Sequence, residues 1–301
     1  MAGRDVRARR SSRGRPGLSA SGRMRARQRT IRAPVGFAAG WIAFCVALGP
    51  SPGCADDLAA LFEPGTVISV GGFAGTGARF QGARAVGLWG LPYASFRKVD
   101  APREWFSPDD ALDVALVDAP AIQAGAVLDV RSGRSVHDDR SLAGLPRRPV
   151  AAALGLFGEV WPVDDVLRLR AEVTQGLRAH DGVVAKLGAD LVGTAGRFTL
   201  SGGPRLVLGD AAAMRLDFDV PVASANANPR LTPYRATGGT RSAGAIVALA
   251  YDWSDAWRTL GSVRYDRLVA SAAGSPIVRR VGTPNDVTVS VGAIYSIRTD
   301  R

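Results

Sequence analysis

Cysteine and histidine are scarce in this 301-residue chain, two of each, and the scarcity removes most metal and nucleophile chemistry at the outset. Cys45 and Cys54 both lie in an N-terminal segment that reads as a leader, so a chain cut after Ala55 keeps neither. Disulfides, thiolate metal sites and a cysteine nucleophile are excluded together. His137, in Val136-His137-Asp138-Asp139, and His180, in Arg178-Ala179-His180-Asp181-Gly182, fall in expected loops without ligand spacing to another His or to a Cys. No Gly-x-Ser-x-Gly elbow offers a serine nucleophile to either His-Asp pair. Val70-Gly71-Gly72-Phe73-Ala74-Gly75-Thr76-Gly77 is glycine-rich but lacks the Gly-x-Gly-x-x-Gly order and a following helix, so its glycines read as sites of strong strand bending. The sequence therefore names no catalytic, cofactor-binding or metal-binding residue, and the expectation is a protein that is not an enzyme.

Positive charge is also scarcer than its total suggests. The formal net charge is +11, but residues 1–55 hold eleven Arg against one Asp, which leaves +1 for residues 56–301. A nucleic-acid-binding reading loses its electrostatic footprint. After Arg32 comes an uncharged run from Ala33 to Ala55, with an apolar heart at Val35 to Leu48, breaks at Pro50 and Pro52, and small residues at Gly53 and Ala55. These are the regions of a secretory signal, with the cut expected after Ala55. Its basic region is long, and a start at Met24 would leave an ordinary leader. A retained anchor is the alternative, though the run is shorter than the roughly 20 apolar residues a spanning helix needs and contains Pro34. A lipid-modified Cys54 is a further alternative, with Ser51-Pro52-Gly53 lacking the aliphatic residue such a site wants. The expected organisation is a leader and signal peptide at 1–55 and one domain at 56–301.

That domain shows no convincing amphipathic helical period. It alternates instead. In the last such stretch Val287, Val289, Val291, Ala293, Tyr295 and Ile297 share one face, and Asp286, Thr288, Ser290, Gly292 and Ser296 the other, with Ile294 the exception. Leu167, Leu169, Ala171 and Val173 alternate with Arg168, Arg170, Glu172 and Thr174. The same code puts Lys186 and Asp190 opposite Val183 to Leu191, Arg205 opposite Phe198 to Leu208, and Ser242, Ala248 and Asp252 opposite Ala243 to Trp253. One face wholly apolar and the other charged, in runs of about 9 to 11 residues, is the pattern of a membrane strand between lipid and lumen. A soluble antiparallel barrel is the alternative, but it would bury those charges in its core.

Strands are predicted at Thr66 to Phe73, Ala85 to Arg97, Leu112 to Ala119, Ile122 to Val130, Val150 to Trp161, Val166 to Gln175, Val183 to Gly193, Arg197 to Gly209, Met214 to Val220, Arg241 to Trp253, Trp257 to Leu268 and Asp286 to Ile297. The fold expected is all-β, a transmembrane antiparallel up-and-down β-barrel of ten or twelve strands, since single-chain bacterial barrels have even numbers. Pro162 to Asp165, Thr194 to Gly196 and Ser254 to Ala256 read as tight periplasmic turns. Gly176 to Gly182, Asp210 to Thr240 and Val269 to Asn285 read as longer outer loops, the second of them irregular. Trp89, Trp105, Trp161, Trp253, Trp257, Tyr93, Tyr251, Tyr265 and Tyr295 are expected in interfacial aromatic belts. The lumen is expected to be a solvated charged lining, with Arg168 and Arg170 paired to Glu172 and Asp190. An arginine introduced at Val289 or Leu249 should then cost more than one at Ser290 or Ala248.

In its wording the chain resembles the MipA/OmpV family of Gram-negative outer-membrane proteins. The resemblance rests on Pro233-Tyr234-Arg235 with glycines after it, an alternating strand to Tyr251, then Trp257, Tyr265 to Leu268, Ser275-Pro276-Ile277-Val278 and the closing strand to Tyr295. Gly144-Leu145, Gly155-Leu156-Phe157 and the Gly176 to Gly182 loop also fit, and coverage runs from about Pro64 to Ile297. The family usually finishes on Tyr-x-Phe, where Tyr295-Ser296-Ile297 stands here before Arg298-Thr299-Asp300-Arg301, and its aromatic-rich segment is replaced by Met214 to Pro229. The resemblance implies an outer-membrane barrel in contact with lipid. It implies a scaffold role, linking a periplasmic lytic transglycosylase to a bifunctional murein synthase, with no cofactor and no nucleic acid. A narrow pore or a surface-exposed receptor or adhesin is the competing class.

Overall fold

In the computed structural model, residues 65–99, 105–119, 121–177 and 181–299 are described. The leader, its cut after Ala55 and His180 lie outside them. Eleven strands form one antiparallel sheet: β1 (Thr66–Ala78), β2 (Val86–Lys98), β3 (Leu112–Ala119), β4 (Ile122–Arg131), β5 (Ala151–Val163), β6 (Leu167–Gly176), β7 (Val183–Ala195), β8 (Phe198–Gly209), β9 (Gly239–Asp252), β10 (Trp257–Leu268) and β11 (Asn285–Arg298). The order is β2-β1-β11-β10-β9-β8-β7-β6-β5-β4-β3, a meander whose last strand turns back to pair with its first. Val67 lies opposite Arg298 and Thr76 opposite Val289 in that closing ladder. No described helix is long and apolar enough to cross a membrane.

The alternation becomes the two faces of this curled sheet. Along β11, Val287, Val289, Val291, Tyr295 and Ile297 are exposed while Ser290 and Ile294 are buried. Along β6, Leu169 and Val173 are exposed while Arg168, Arg170, Glu172 and Thr174 are buried. The outward face is thus an apolar band around the strands, as lipid contact requires.

The strand count is eleven among the described residues, inside the expected range but odd. Each strand runs opposite to its ladder neighbour, so with eleven of them the sheet edges β2 and β3 run in the same direction. The connection at 99–111 must therefore travel back from the end where β2 stops to the end where β3 starts.

The two ends differ. The connections at 120–121, 164–166, 196–197 and 253–256 lie at one end, together with Gly65 and Thr299, whose backbones bond to each other at 2.9 Å. At the other end lie the connections at 79–85, 132–150, 177–182, 210–238 and 269–284.

The 210–238 connection corrects two expectations. It is not irregular: it holds helices α1 (Ala211–Phe218) and α2 (Val222–Ala227). Met214 to Val220 is no strand, although Met214, Leu216, Phe218 and Val220 alternate with Arg215, Asp217 and Asp219. Asp210 caps the helix by accepting from Ala213 N at 2.7 Å, three alanines follow, and Met214 and Phe218 then share one buried face.

Candidate functional site: a strapped and capped lumen

Residues 105–111 run inside the barrel as a strap. The Phe106 ring stacks on Tyr93 at 5.1 Å and meets Phe73 edge-on at 6.0 Å. Trp105 meets Trp161 edge-on, and the Arg168 guanidinium lies 4.9 Å over its ring. Trp161 donates from Nε1 to Glu159 at 2.8 Å. Trp105, Trp161, Tyr93 and Trp89 therefore turn to the lumen and do not join an interfacial belt. The glycines of β1 and β11 explain part of the fit. A Cβ on Gly75 would lie 2.5 Å from both Trp89 Cζ2 and the Val289 carbonyl oxygen, and one on Gly292 2.3 Å from Phe73, so these glycines make room for rings and, at Gly75, for the neighbouring strand. The belt that does form is at the short-turn end, where Phe198, Tyr251 and Trp253 contact in series and Trp257 meets Tyr295 at 4.8 Å.

Beyond the aromatic layer the strap supplies negative charge to the arginines of the wall. Asp109 accepts from Arg205 Nε at 2.8 Å and from Arg264 Nη1 at 2.8 Å. Asp110 accepts from Arg168 Nη2 at 2.8 Å, and Asp113, at the start of β3, pairs with Arg170. Wall-to-wall pairs complete the layer: Arg170 with Glu172 at 2.8 Å, Arg168 with Glu159 at 2.6 Å and with Asp190 at 3.4 Å, and Arg205 with Asp190 at 2.8 Å. Arg168 and Asp190 are only 1% and 2% exposed. This is not a solvated lining. The expected pairing of Arg168 and Arg170 with Asp190 and Glu172 is present, and the strap carboxylates, which sequence reading left unassigned, neutralise the excess of guanidinium. A remaining void of about 30 Å³ between them has room for a water molecule.

The long-loop end is closed by a cap with its own core. Phe80 and Ala83 from the 79–85 connection, Leu142 and Leu145 from 132–150, Val220 and Leu231 from 210–238, and Ile277 and Val281 from 269–284 form one buried cluster. Met214, Phe218, Ala236, Leu268, Ala272 and Val278 form a second, with Tyr234 packed against both. Polar ties join the connections: Asn228 Nδ2 donates to the carbonyls of Ser141 and Ala143 at 2.8 and 2.9 Å, Tyr234 OH to that of Ser271 at 2.8 Å, and Ser275 Oγ to that of Phe218 at 2.7 Å. Leu145, Tyr234, Ser275, Ile277 and Val278 are segments on which the family resemblance rests, and all of them build this cap.

Between strap and cap lies a polar cavity of about 410 Å³, floored by Pro108 and Asp109 and roofed by Phe80, Arg134, Arg148 and Asp217. Lys186 on its wall pairs with Asp129 at 2.8 Å. Arg134 is 5% exposed; its Nη1 donates to the Asp217 carbonyl, but its Nε and Nη2 meet no acceptor. Burial, with the like charge of Arg148 beside it, pushes the Arg134 guanidinium down to about 10, against the pull of Asp217. Burial also lowers Arg148, where Asp217 and Asp219 act in the opposite sense. His137 is exposed on the 132–150 connection, and among the described residues no group of His, Cys, Asp and Glu has metal-site geometry.

A family model described as "MltA-interacting protein MipA" matches residues 70–297. No curated protein matches. Among solved structures, OmpT, an outer membrane protein of Vibrio cholerae, aligns at 12% identity over 62% of this chain and 54% of its own, with a TM-score of 0.30. This chain thus spans about half the length of that protein. The translocator domain of autotransporter NalP from Neisseria meningitidis aligns at 11% identity over 87% of this chain and 99% of its own, with a TM-score of 0.33. A Pseudomonas aeruginosa FadL homologue aligns at 10% identity over 76% and 90%, with a TM-score of 0.32. Superpositions this loose leave the ladder order itself as the description of the fold.

Proposed function

The chain belongs to the MipA family, and from that premise we propose that this outer-membrane β-barrel protein is a non-enzymatic scaffold that tethers murein enzymes at its short-turn end. The partners proposed are a periplasmic lytic transglycosylase and a bifunctional murein synthase, and lipid surrounds the strands. The observation that carries the reading is the filled lumen. Strap, buried ion pairs and cap occupy the path a solute would take, so a narrow pore is disfavoured and the faces left for function are the two ends. In bacterial barrels short turns face the periplasm, where murein lies. The compact turns there expose Asp164, Asp165 and Asp255.

Single exposed contacts are worth about 1 kcal/mol or less, so the test changes the turns together. Asp164→Lys, Asp165→Lys and Asp255→Lys combined should abolish capture of a purified lytic transglycosylase by the detergent-solubilised barrel. Val222→Glu, on the exposed surface of the cap, should leave capture intact. The opposite result would place the partner at the cap and favour the surface-receptor reading. Deleting Ala223 to Arg235 is not a usable control, because it removes Leu231 and Tyr234 from the cap core.

A further inference from the structure

We propose that the cavity beneath the cap is a binding site for a small oxyanion, a carboxylate or a phosphate ester, held by Arg134 with Arg148 and Arg241. The inference goes beyond the scaffold reading and does not depend on it. It starts from a contrast within one lumen. The arginines of the strap layer each have a carboxylate within 3.4 Å. Of the five arginines that line the cavity, Arg264 belongs to that layer and Arg131 donates to the carbonyls of Thr174 and Gly182, whereas Arg134, Arg148 and Arg241 have no carboxylate at ion-pair distance among the described residues, and each keeps a buried Nε without an acceptor, Arg134 its Nη2 as well.

Leaving such donors unmatched is costly, because a buried charged group without its hydrogen bonds forfeits its solvation and gains nothing in return. Two cationic forks on the same roof also repel each other. Asp109, Asp129, Asp217, Asp266 and Asp286 line the same cavity, and Asp217 attracts Arg134 and Arg148, but none of these carboxylates lies at ion-pair distance from Arg134, Arg148 or Arg241. A guanidinium presents its N–H groups as a planar fork that fits two oxygens of a carboxylate or phosphate. An oxyanion in the cavity would draw these guanidinium groups toward it, giving their buried N–H groups an acceptor and relieving the repulsion, which a neutral ligand would not. The volume, about 410 Å³, is in the range of small-ligand pockets and well above what inorganic phosphate alone would fill. Arg134 is placed by the wall and not by chance of a mobile tip: its own N–H donates to the Arg148 carbonyl at 2.8 Å and the Arg148 N–H to its carbonyl at 2.7 Å.

The test uses the full mature chain refolded in detergent, with folding checked by the shift in gel mobility on heating. Inorganic phosphate and succinate are titrated calorimetrically against sodium chloride at matched ionic strength. The expected result is one-to-one binding of phosphate or succinate that chloride does not reproduce, weakened about tenfold or more by Arg134→Gln and by Arg148→Gln. Should Arg134→Gln not refold, the half-buried Arg148 carries the comparison alone. Heats no larger than those of chloride, or affinities unchanged in the variants that fold, would overturn the site. A third titration with short-chain phosphatidic acid separates a lipid headgroup from a soluble ligand. Binding of that lipid alone would put the anion on the outer surface and overturn the cavity assignment.

Discussion

Asp109→Ala would show whether the strap is held by charge. The carboxylate accepts from Arg205 at 2.8 and 3.0 Å, from Arg264 at 2.8 Å and from Ser107 Oγ at 2.5 Å. Removing one partner of a buried pair costs about 3 to 5 kcal/mol when the other is left uncompensated. Here Arg205 retains Asp190 at 2.8 Å and Arg264 retains Asp266, so neither guanidinium is stranded. The expected loss is about 3 kcal/mol, the lower end of that range. The assay is a urea titration of the barrel in detergent, following the compact band on unheated gels. Asp164→Ala, at an exposed turn, serves as the comparison and should fall within about 0.5 kcal/mol of the parent. Planar-bilayer recording of the same protein supplies the second readout. The parent should be silent, whereas a strap released from Arg205 and Arg264 should admit ions in brief openings. An Asp109→Ala barrel as stable as the parent and as silent would refute the account of the strap as an electrostatic plug.

Three further outcomes follow from the packing. Val289→Arg, on the lipid face, should cost about 2 to 4 kcal/mol near the bilayer midplane, but Ala248→Arg should be no milder, since Ala248 is 3% exposed in a filled lumen; refolding into liposomes compares them. Gly292→Val should destabilise by about 1 to 3 kcal/mol by displacing the Phe73 ring, and Phe73→Leu in the same chain should recover part of the loss in a urea titration. Protein isolated from the envelope should begin near Asp56 and contain no thiol, and Edman sequencing that returns Cys54 or earlier residues would contradict the proposed cut.

Most of the sheet was legible in the sequence because a membrane strand obeys one simple rule. Val289 must face lipid and Ser290 must not, and no neighbour can override that. That an arginine at Ala248 should be no milder than one at Val289 was not legible, since alternation says which face is inward but not whether that face is wet. The strap was missed because Trp105-Phe106-Ser107-Pro108-Asp109-Asp110 matches neither period. Its signal was indirect: Arg168, Arg170, Arg205 and Arg264 on lumen faces call for more acid than their own strands provide. The cap left a signal too. Phe80, Leu142, Leu145, Leu231, Ile277 and Val278 are apolar residues in connections, where isolated hydrophobes are ordinary but six that must converge are not. Helix α1 misled by coincidence, since the seven residues from Met214 to Val220, which begin inside it, alternate as a strand would. The cue that favoured a helix was Asp210 before three alanines.

The odd strand count and the strap are one fact seen twice. An even-numbered meander would need a strand antiparallel to both β2 and β3, and the chain that joins them in sequence is 99–111. Its sequence cannot serve. Pro102 and Pro108 lack the N–H a central strand must donate. Its two alternating faces carry Asp100, Glu104 and Asp110 on one side and Arg103 and Asp109 on the other, so either choice would put charge into lipid. Moved into the lumen, Asp109 and Asp110 meet four arginines, and Trp105 and Phe106 meet rings instead of solvent. The acids that would put charge into lipid from a twelfth strand are those that neutralise the wall, so among the described residues the sheet has eleven strands and residues 105–111 help fill its interior.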